Sequence, residues 1–551
     1  MIDHCILTLI VLTPLAGALL LALLPDRGKT MQWAALAVTL LTFAFTLHLP
    51  AHYAYQQVTI YVGPHAAEFN RSMHATPISV GSFQFEQNLP WITAPAIHYH
   101  VGVDGISIWL VVLTGLLAPL GVLISWRVID TRKKLFYTLF LLQHVAMLGI
   151  FVALDLFLYY AFWELSLVPM TLLIATFGRT ESRRRAAIRY FLYAFIPSAL
   201  LLVAILWLYA QTGTFDLPTL TALAAQHAIS ANSAALWLAS LAFLFAFAVK
   251  VPVFPLHGWL VDAVTEAPTA AVMVLAGKTA LYSILRFSFA IFPAESRRIA
   301  PLVIALTAIG IVYGALLALV QRDLKKLAAY STLSALSFIV LGFFTFTISG
   351  LNGGTFQILN ESLAGAAFFM LLGLLYERYG TNDIRRFGGL AAQLPWIATF
   401  FVITALAIVG LPMLSGFVGE FLILSGSMQA PLAHHHLWTA LATAGVVLSA
   451  AYMLTMIQRV FYADLGPKPQ QVAPRDLDAR EHLALWPLAI LFLVMGLVSP
   501  VWTKAIDGAV AGIAAAPAIS IPTPAPASPT PALPAPGPAV AAAPITSGGA
   551  Q

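Results

Sequence analysis

Fourteen apolar stretches follow one another along this 551-residue chain, and they decide what it can fold into. They run approximately over residues 5–24, 31–49, 106–126, 135–154, 156–177, 187–210, 234–251, 269–291, 299–320, 327–347, 355–376, 396–424, 437–461 and 484–506. About 18–25 apolar residues in helical form cross a hydrocarbon core some 30 Å thick. Only 9% of the residues are charged, and 60% are hydrophobic. A soluble chain carries about a quarter charged residues, so the soluble classes are excluded. The expected fold is an all-α, polytopic membrane protein of about fourteen transmembrane helices. With thirteen more spans behind it, the first is not expected to be a cleaved signal peptide.

The basic residues orient this array. With loops numbered by the span they follow, the odd loops hold 21 of the 28 Lys and Arg, from Arg27 and Lys29 to Arg475 and Arg480. The even loops and C-terminus hold Arg71, Arg297, Arg298 and Lys504, while Lys250, Lys278 and Arg286 fall inside spans. By the positive-inside rule the odd loops are cytoplasmic and both termini lie on the other side. The net charge of +5 is spread over short separate loops, so no nucleic acid partner is expected. Cys5 is the only cysteine, which excludes a disulfide, a cysteine-held iron–sulfur cluster and a thiolate zinc site. A haem between helices needs facing pairs of in-span histidines, and only His144 and His257 qualify. His144 reads as packed, and His434, His435 and His436 as interfacial and solvated. No metal site is expected.

Two spans are interrupted by proline, at Val251-Pro252-Val253 and at Leu411-Pro412-Met413, 160 residues apart. Asp155-Leu156 and Asp323-Leu324 open spans 168 residues apart. Five spans separate the members of each pair, and an odd number makes two copies inverted. The expected architecture is thus two inverted five-helix repeats with broken helices, a pattern common in transporters. The expected divisions are 1–49 (two N-terminal spans), 50–104 (an external loop), 105–134 (the third span and a cytoplasmic loop), 135–292 and 298–462 (the two repeats), 463–514 (a loop and the last span) and 515–551 (a disordered Ala/Pro/Ser-rich tail).

An ionisable residue deep in a span costs about 2.5–3.5 kcal/mol on insertion scales, so it faces a partner or a cavity. Five such residues lie one to a helix: Glu164, Lys250, Lys278, Glu361 and Glu420. Glu164 lies nine residues into its span, roughly 12–14 Å deep. A metal site would gather oxygen or imidazole ligands in one place. Alternating carboxylates and lysines instead suit a proton relay, because low dielectric draws both toward neutrality and a neighbouring opposite charge restores the ion.

Several runs carry a resemblance. Residues 100–107 read HVGVDGIS, 154–170 LDLFLYYAFWELSLVPM, 247–269 FAVKVPVFPLHGWLVDAVTEAPT, 325–331 KKLAAYS, 409–421 VGLPMLSGFVGEF and 451–461 AYMLTMIQRVF. Together, over roughly residues 80–510, they resemble the antiporter-like subunits of proton-pumping NADH:quinone oxidoreductase (respiratory complex I). Glu420 in Gly-Phe-Val-Gly-Glu-Phe favours the M branch, since the L and N branches typically carry Lys there. The resemblance implies a proton-translocating membrane-arm subunit, driven by quinone reduction elsewhere in the complex and binding no NADH, flavin, iron–sulfur cluster or other cofactor itself. By motif match Glu164, Lys250, Lys278 and Glu420 form the core of the path, with His257 beside the first break and Asp262 and Glu266 in support. It implies neighbouring antiporter-like subunits and the lipid bilayer as partners, in a bacterial inner membrane with both termini periplasmic.

The chain departs from that family at four places. Ala335, Glu361 and Val264 stand where histidines are usual, and about three residues are missing between Gly277 and Lys278. Glu361 is the expected replacement for one histidine. The alternative reading is a chain of a multisubunit cation/proton antiporter or a membrane-bound hydrogenase built on the same fold.

Overall fold

The computed structural model describes residues 3–26, 28–54, 83–274, 277–464 and 475–515. The tail beyond Ala515, residues 55–82 of the external loop, and Arg27, Arg71 and Lys468 lie outside them. Among the described residues, thirteen helices are long and apolar enough to cross a membrane, and a shorter apolar helix, Pro395–Ile408, opens the remaining span.

Helices α1 (Ile6–Leu23) and α2 (Thr30–His52) lead to a β-hairpin of β1 (Gln84–Ile92) and β2 (Ile97–Val103). The strands are antiparallel, with Asn88 opposite His100 and Ile92 opposite Ile97. The external loop therefore holds a small sheet where only loop was expected. Ile97, Val101 and Val103 are buried on the bundle, and the Leu154 N–H donates to the His100 carbonyl at 2.9 Å.

Helix α3 (Ile108–Ser125) precedes the first repeat, which opens with α4 (Lys133–Val152), α5 (Leu156–Leu165) and α6 (Leu167–Phe177). It continues with α7 (Arg183–Thr212), the short α8 (Leu217–Ala225), α9 (Ser233–Lys250) and α10 (Leu260–Glu266). Its last span comprises α11 (Thr269–Met273), α12 (Gly277–Ser283), a π-helical turn Ile284–Ser288 and α13 (Phe289–Ile291), with residues 275–276 outside the described ones. The interruption at Ser166 between α5 and α6 was not read from the sequence, although Pro169, one turn on, has no N–H for the Leu165 carbonyl.

The second repeat comprises α14 (Pro293–Val320), α15 (Leu324–Phe344), α16 (Ile348–Tyr379), the short α17 (Leu390–Gln393), α18 (Pro395–Ile408), α19 (Ser415–Met428) and α20 (His435–Ile457). Helices α21 (Ala479–Leu497) and α22 (Pro500–Ala515) follow. The expected last span, 484–506, is thus divided at Ser499-Pro500, since proline cannot continue a helix and restricts the residue before it.

Three local structures recur in both repeats. Asp155 caps α5 by accepting from the Phe157 and Leu158 N–H groups, and Asp323 caps α15 by accepting from Lys326 N–H. Each capping segment pairs with a later one. Leu156 N–H bonds the Phe215 carbonyl and Leu217 N–H the Leu154 carbonyl; likewise Leu324 N–H bonds Asn382 and Ile384 N–H bonds Arg322. The last span of each repeat carries a π-helical turn, Ile284–Ser288 and Gln458–Tyr462.

The break itself also recurs, and it corrects the register read from proline. Val251 N–H bonds the Phe247 carbonyl and Val253 N–H the Ala248 carbonyl; Val409 N–H bonds Ala405 and Leu411 N–H bonds Leu406. Residues 251–253 therefore match 409–411, an offset of 158 rather than 160. The second helix stops because Gly410 adopts φ 73°, the left-handed residue that ends many helices, and Pro412 merely follows it.

Candidate functional site

Glu164 stands in the last turn of α5, and Ser198 Oγ of α7 donates to its carboxylate. Lys250 ends α9 and is 4% exposed. Its Nζ donates to Ser166 Oγ at 3.0 Å and lies 3.5 Å from the centre of the Trp163 ring. Ser166 Oγ in turn donates to the Trp163 carbonyl at 2.7 Å. The lysine is thus held by a hydroxyl and a π-face that flank Glu164 in sequence. No direct Glu164–Lys250 ion pair occurs among the described residues. The sequence had singled out neither Trp163 nor Ser166, both inside the WELS run.

The break after Lys250 leaves helix carbonyls to be satisfied at membrane depth. The Trp259 indole N–H takes one, Val249, at 2.8 Å. His257 packs on Phe254 and Tyr313, with ring centroids 5.7 and 5.3 Å away. Its Nδ1 is buried without a protein partner among the described residues.

Lys278 and Glu361 come together at the centre. Both line a cavity of about 40 Å³ with Pro252, Trp259, Val264 and Gly365. A water needs roughly 10–15 Å³ of such space, so about three or four fit. Lys278 Nζ points at the carbonyls of Met273 (3.5 Å) and Ser362 (3.3 Å). Two of the departures from the family pattern, Val264 and Glu361, thus line this one space, together with Thr332 and Leu336 of α15, which stand on either side of Ala335 in sequence.

Glu420 belongs to the second break. It lies in the second turn of α19, and its carboxylate fills the place where Gly410 would carry a Cβ. Lys250 reaches its break from the helix before it, whereas Glu420 reaches back from the helix after it. Ser415 Oγ donates to Asn360 Oδ1 at 2.6 Å, tying the start of α19 to the residue before Glu361. Gln357, one turn before Glu361, is buried with Oε1 unpartnered among the described residues. It is a polar group that the sequence reading passed over.

Asp262 and Glu266 lie apart from this row. Asp262 pairs with Arg189, both partly exposed. Glu266 accepts from Thr180 N–H at 2.9 Å and from Ser182 Oγ at 2.6 Å, which pins α10 to the loop ahead of α7. Lys325 Nζ caps the same helix on the carbonyls of Thr265 (3.1 Å) and Ala267 (2.8 Å). These groups position the half-helix behind the cavity rather than line it. His144 is fully buried, with neither ring nitrogen bonded to a protein group among the described residues.

Residues 153–450 match the family model described as NADH:quinone oxidoreductase/Mrp antiporter, TM. The NADH-quinone oxidoreductase subunit M of Rhodobacter capsulatus is 37% identical over 522 residues, which cover 92% of this chain and 96% of that one. Among solved structures, a chain of respiratory complex I from Thermus thermophilus with bound NADH superposes with a TM-score of 0.78 at 30% identity, covering 92% of this chain and 99% of that one. A chain of the Mrp complex from Dietzia sp. DQ12-45-1b superposes with a TM-score of 0.75, covering 94% and 98%; at 21% identity it shares the fold.

Proposed function

Because the chain belongs to the transmembrane antiporter family common to NADH:quinone oxidoreductase and Mrp complexes, we propose that it is a proton-translocating, M-type membrane subunit of an NADH:quinone oxidoreductase. The observation that carries this reading is the central cavity, where Lys278 and Glu361 meet with room for water. On one side of it lie Lys250 and Glu164, on the other Glu420. Glu164 with Lys250 and Lys278 with Glu361 make two couples of opposite sign, and in each a change of charge on one member favours the opposite protonation change on the other. The cavity water connects groups too far apart for a direct hydrogen bond.

In this reading the chain binds no redox cofactor, and quinone reduction in other chains drives the relay. Its partners are other membrane subunits, antiporter-like chains among them, in a bacterial inner membrane with both termini periplasmic. The experiment is proton uptake by inverted membrane vesicles supplied with NADH and quinone. Lys278→Ala should retain the subunits of the complex and lose most of the pumping. Unchanged uptake in an assembled Lys278→Ala complex overturns the relay. Uptake that requires an added metal cation and no NADH identifies a cation/proton antiporter instead.

A further inference from the structure

At the end of the bundle away from most of the basic loops, α1 and α2 bring together three donor groups that play no part in the relay. His48 and His52 are one turn apart on α2, so their rings leave the same helix face. The rings stack with centroids 4.0 Å apart. Asp3, just ahead of α1, places Oδ1 2.7 Å from His48 Nε2. One ligand atom from each of Asp3, His48 and His52 lies within 4.8 Å of the others. His52 Nδ1 is bonded to the His48 carbonyl at 3.1 Å. That bond orients the ring and leaves Nε2 for another partner, as in metal-ligating histidines held by a second hydrogen bond. Phe85 of the hairpin packs edge-on to the His48 ring at 6.3 Å, limiting where that ring can turn.

We propose that Asp3, His48 and His52 form a binding site for a divalent transition-metal ion of the Zn²⁺ class. Imidazole and carboxylate together suit such an ion, and three protein donors leave a fourth tetrahedral position for water. Metal–nitrogen and metal–oxygen bonds of about 2.0–2.2 Å place two tetrahedral donors roughly 3.3 Å apart. The 2.7 Å His48–Asp3 contact must therefore open by less than about 1 Å to admit the ion. Asp3 and His52 are exposed, so an ion reaches them from solvent. Ligation would tie the start of α1 to the last turn of α2, a site the one-cysteine sequence did not suggest.

The test uses the full-length chain, with the chains that co-purify, stripped by chelator and titrated with Zn²⁺ against a chromogenic competitor. Wild type should bind about one Zn²⁺ per chain more than the Asp3→Asn/His52→Asn double variant. Each single variant should weaken that binding by at least roughly tenfold. Co²⁺ should give visible absorption bands that Zn²⁺ abolishes and the double variant lacks. Both substituted side chains are exposed, and retained subunit content verifies that the variants assemble. Equal Zn²⁺ stoichiometry and affinity in wild type and the assembled double variant overturn the proposal, as does a Co²⁺ spectrum that survives the double substitution.

Discussion

The Glu420 carboxylate occupies the space that a side chain on Gly410 would need. Gly410 is therefore required twice, by its φ of 73° and by the acid it leaves room for. Alanine there costs about 1–2 kcal/mol in the left-handed backbone alone, and its methyl pushes the carboxylate away from the break. Gly410→Ala should assemble and pump as poorly as Glu420→Gln. Vesicle proton uptake normalised to NADH oxidation measures this. Wild-type uptake in Gly410→Ala means that the contact has no bearing on transport.

Lys250 is held by Trp163 and Ser166 rather than by direct pairing with Glu164. A desolvated cation–π contact is worth up to about 2 kcal/mol, comparable with a hydrogen bond to a charged group. Trp163→Leu and Ser166→Ala should each reduce pumping, and the double variant should lose less than the two effects added, since both remove the same cradle. Lys250→Ala should remove pumping with the complex intact. Strictly additive losses in a double-mutant cycle argue against a shared cradle.

The spans were legible because length and apolarity are a bilayer's demands, and both are written in consecutive residues. Glu164, Lys250, Lys278, Glu361 and Glu420 were legible because charge in such a stretch is costly. What surrounds them was not. Trp163 and Ser166 are ordinary residues for a membrane helix, and only the fold brings them to Lys250. Proline marked the neighbourhood of the second break, yet Gly410 sets its register, since glycine occurs throughout membrane helices and its φ is invisible in sequence. The π-helical turns at 284–288 and 458–462 carry no compositional mark. The hairpin was obscured by Pro90 and by polar residues on its exposed strand.

His100 supplies a pH dependence outside the membrane. Its ring is bonded to Asp216 through Nδ1 and to Glu86 through Nε2, both at 2.7 Å. Burial opposes the charged imidazole, but the two carboxylates outweigh it and raise His100 above the ordinary 6.5. Burial likewise opposes the Asp216 carboxylate, but His100 and Thr219 hold it below 3.8. The raised histidine contributes stability in full below 6.5, lost as pH rises through its folded value; the depressed aspartate contributes above 3.8, lost as pH falls through its own. Hairpin amides in β2 should be best protected from hydrogen exchange between those limits and less so in alkali. His100→Gln should flatten the alkaline side of the profile; a profile that keeps its alkaline loss points to another group.

The central cavity makes a prediction that needs no change of charge. A Cβ on Gly365 would stand 3.6 Å from Glu361 Oε1, ordinary contact rather than a clash. Gly365→Ala should be accepted with a small loss, whereas Gly365→Val adds enough volume to displace water from a space of about 40 Å³. If water links Lys278 to Glu361, Gly365→Val should depress pumping severely while both charges and the assembled complex remain. Glu361→Gln should be impaired more than Glu361→His, because histidine can still take up and release a proton at that position and glutamine cannot. The two results separate the roles of space and acid. Loss in Glu361→Gln with normal pumping in Gly365→Val would mean that the proton passes by direct contact with Glu361, and normal pumping in both would place the path elsewhere.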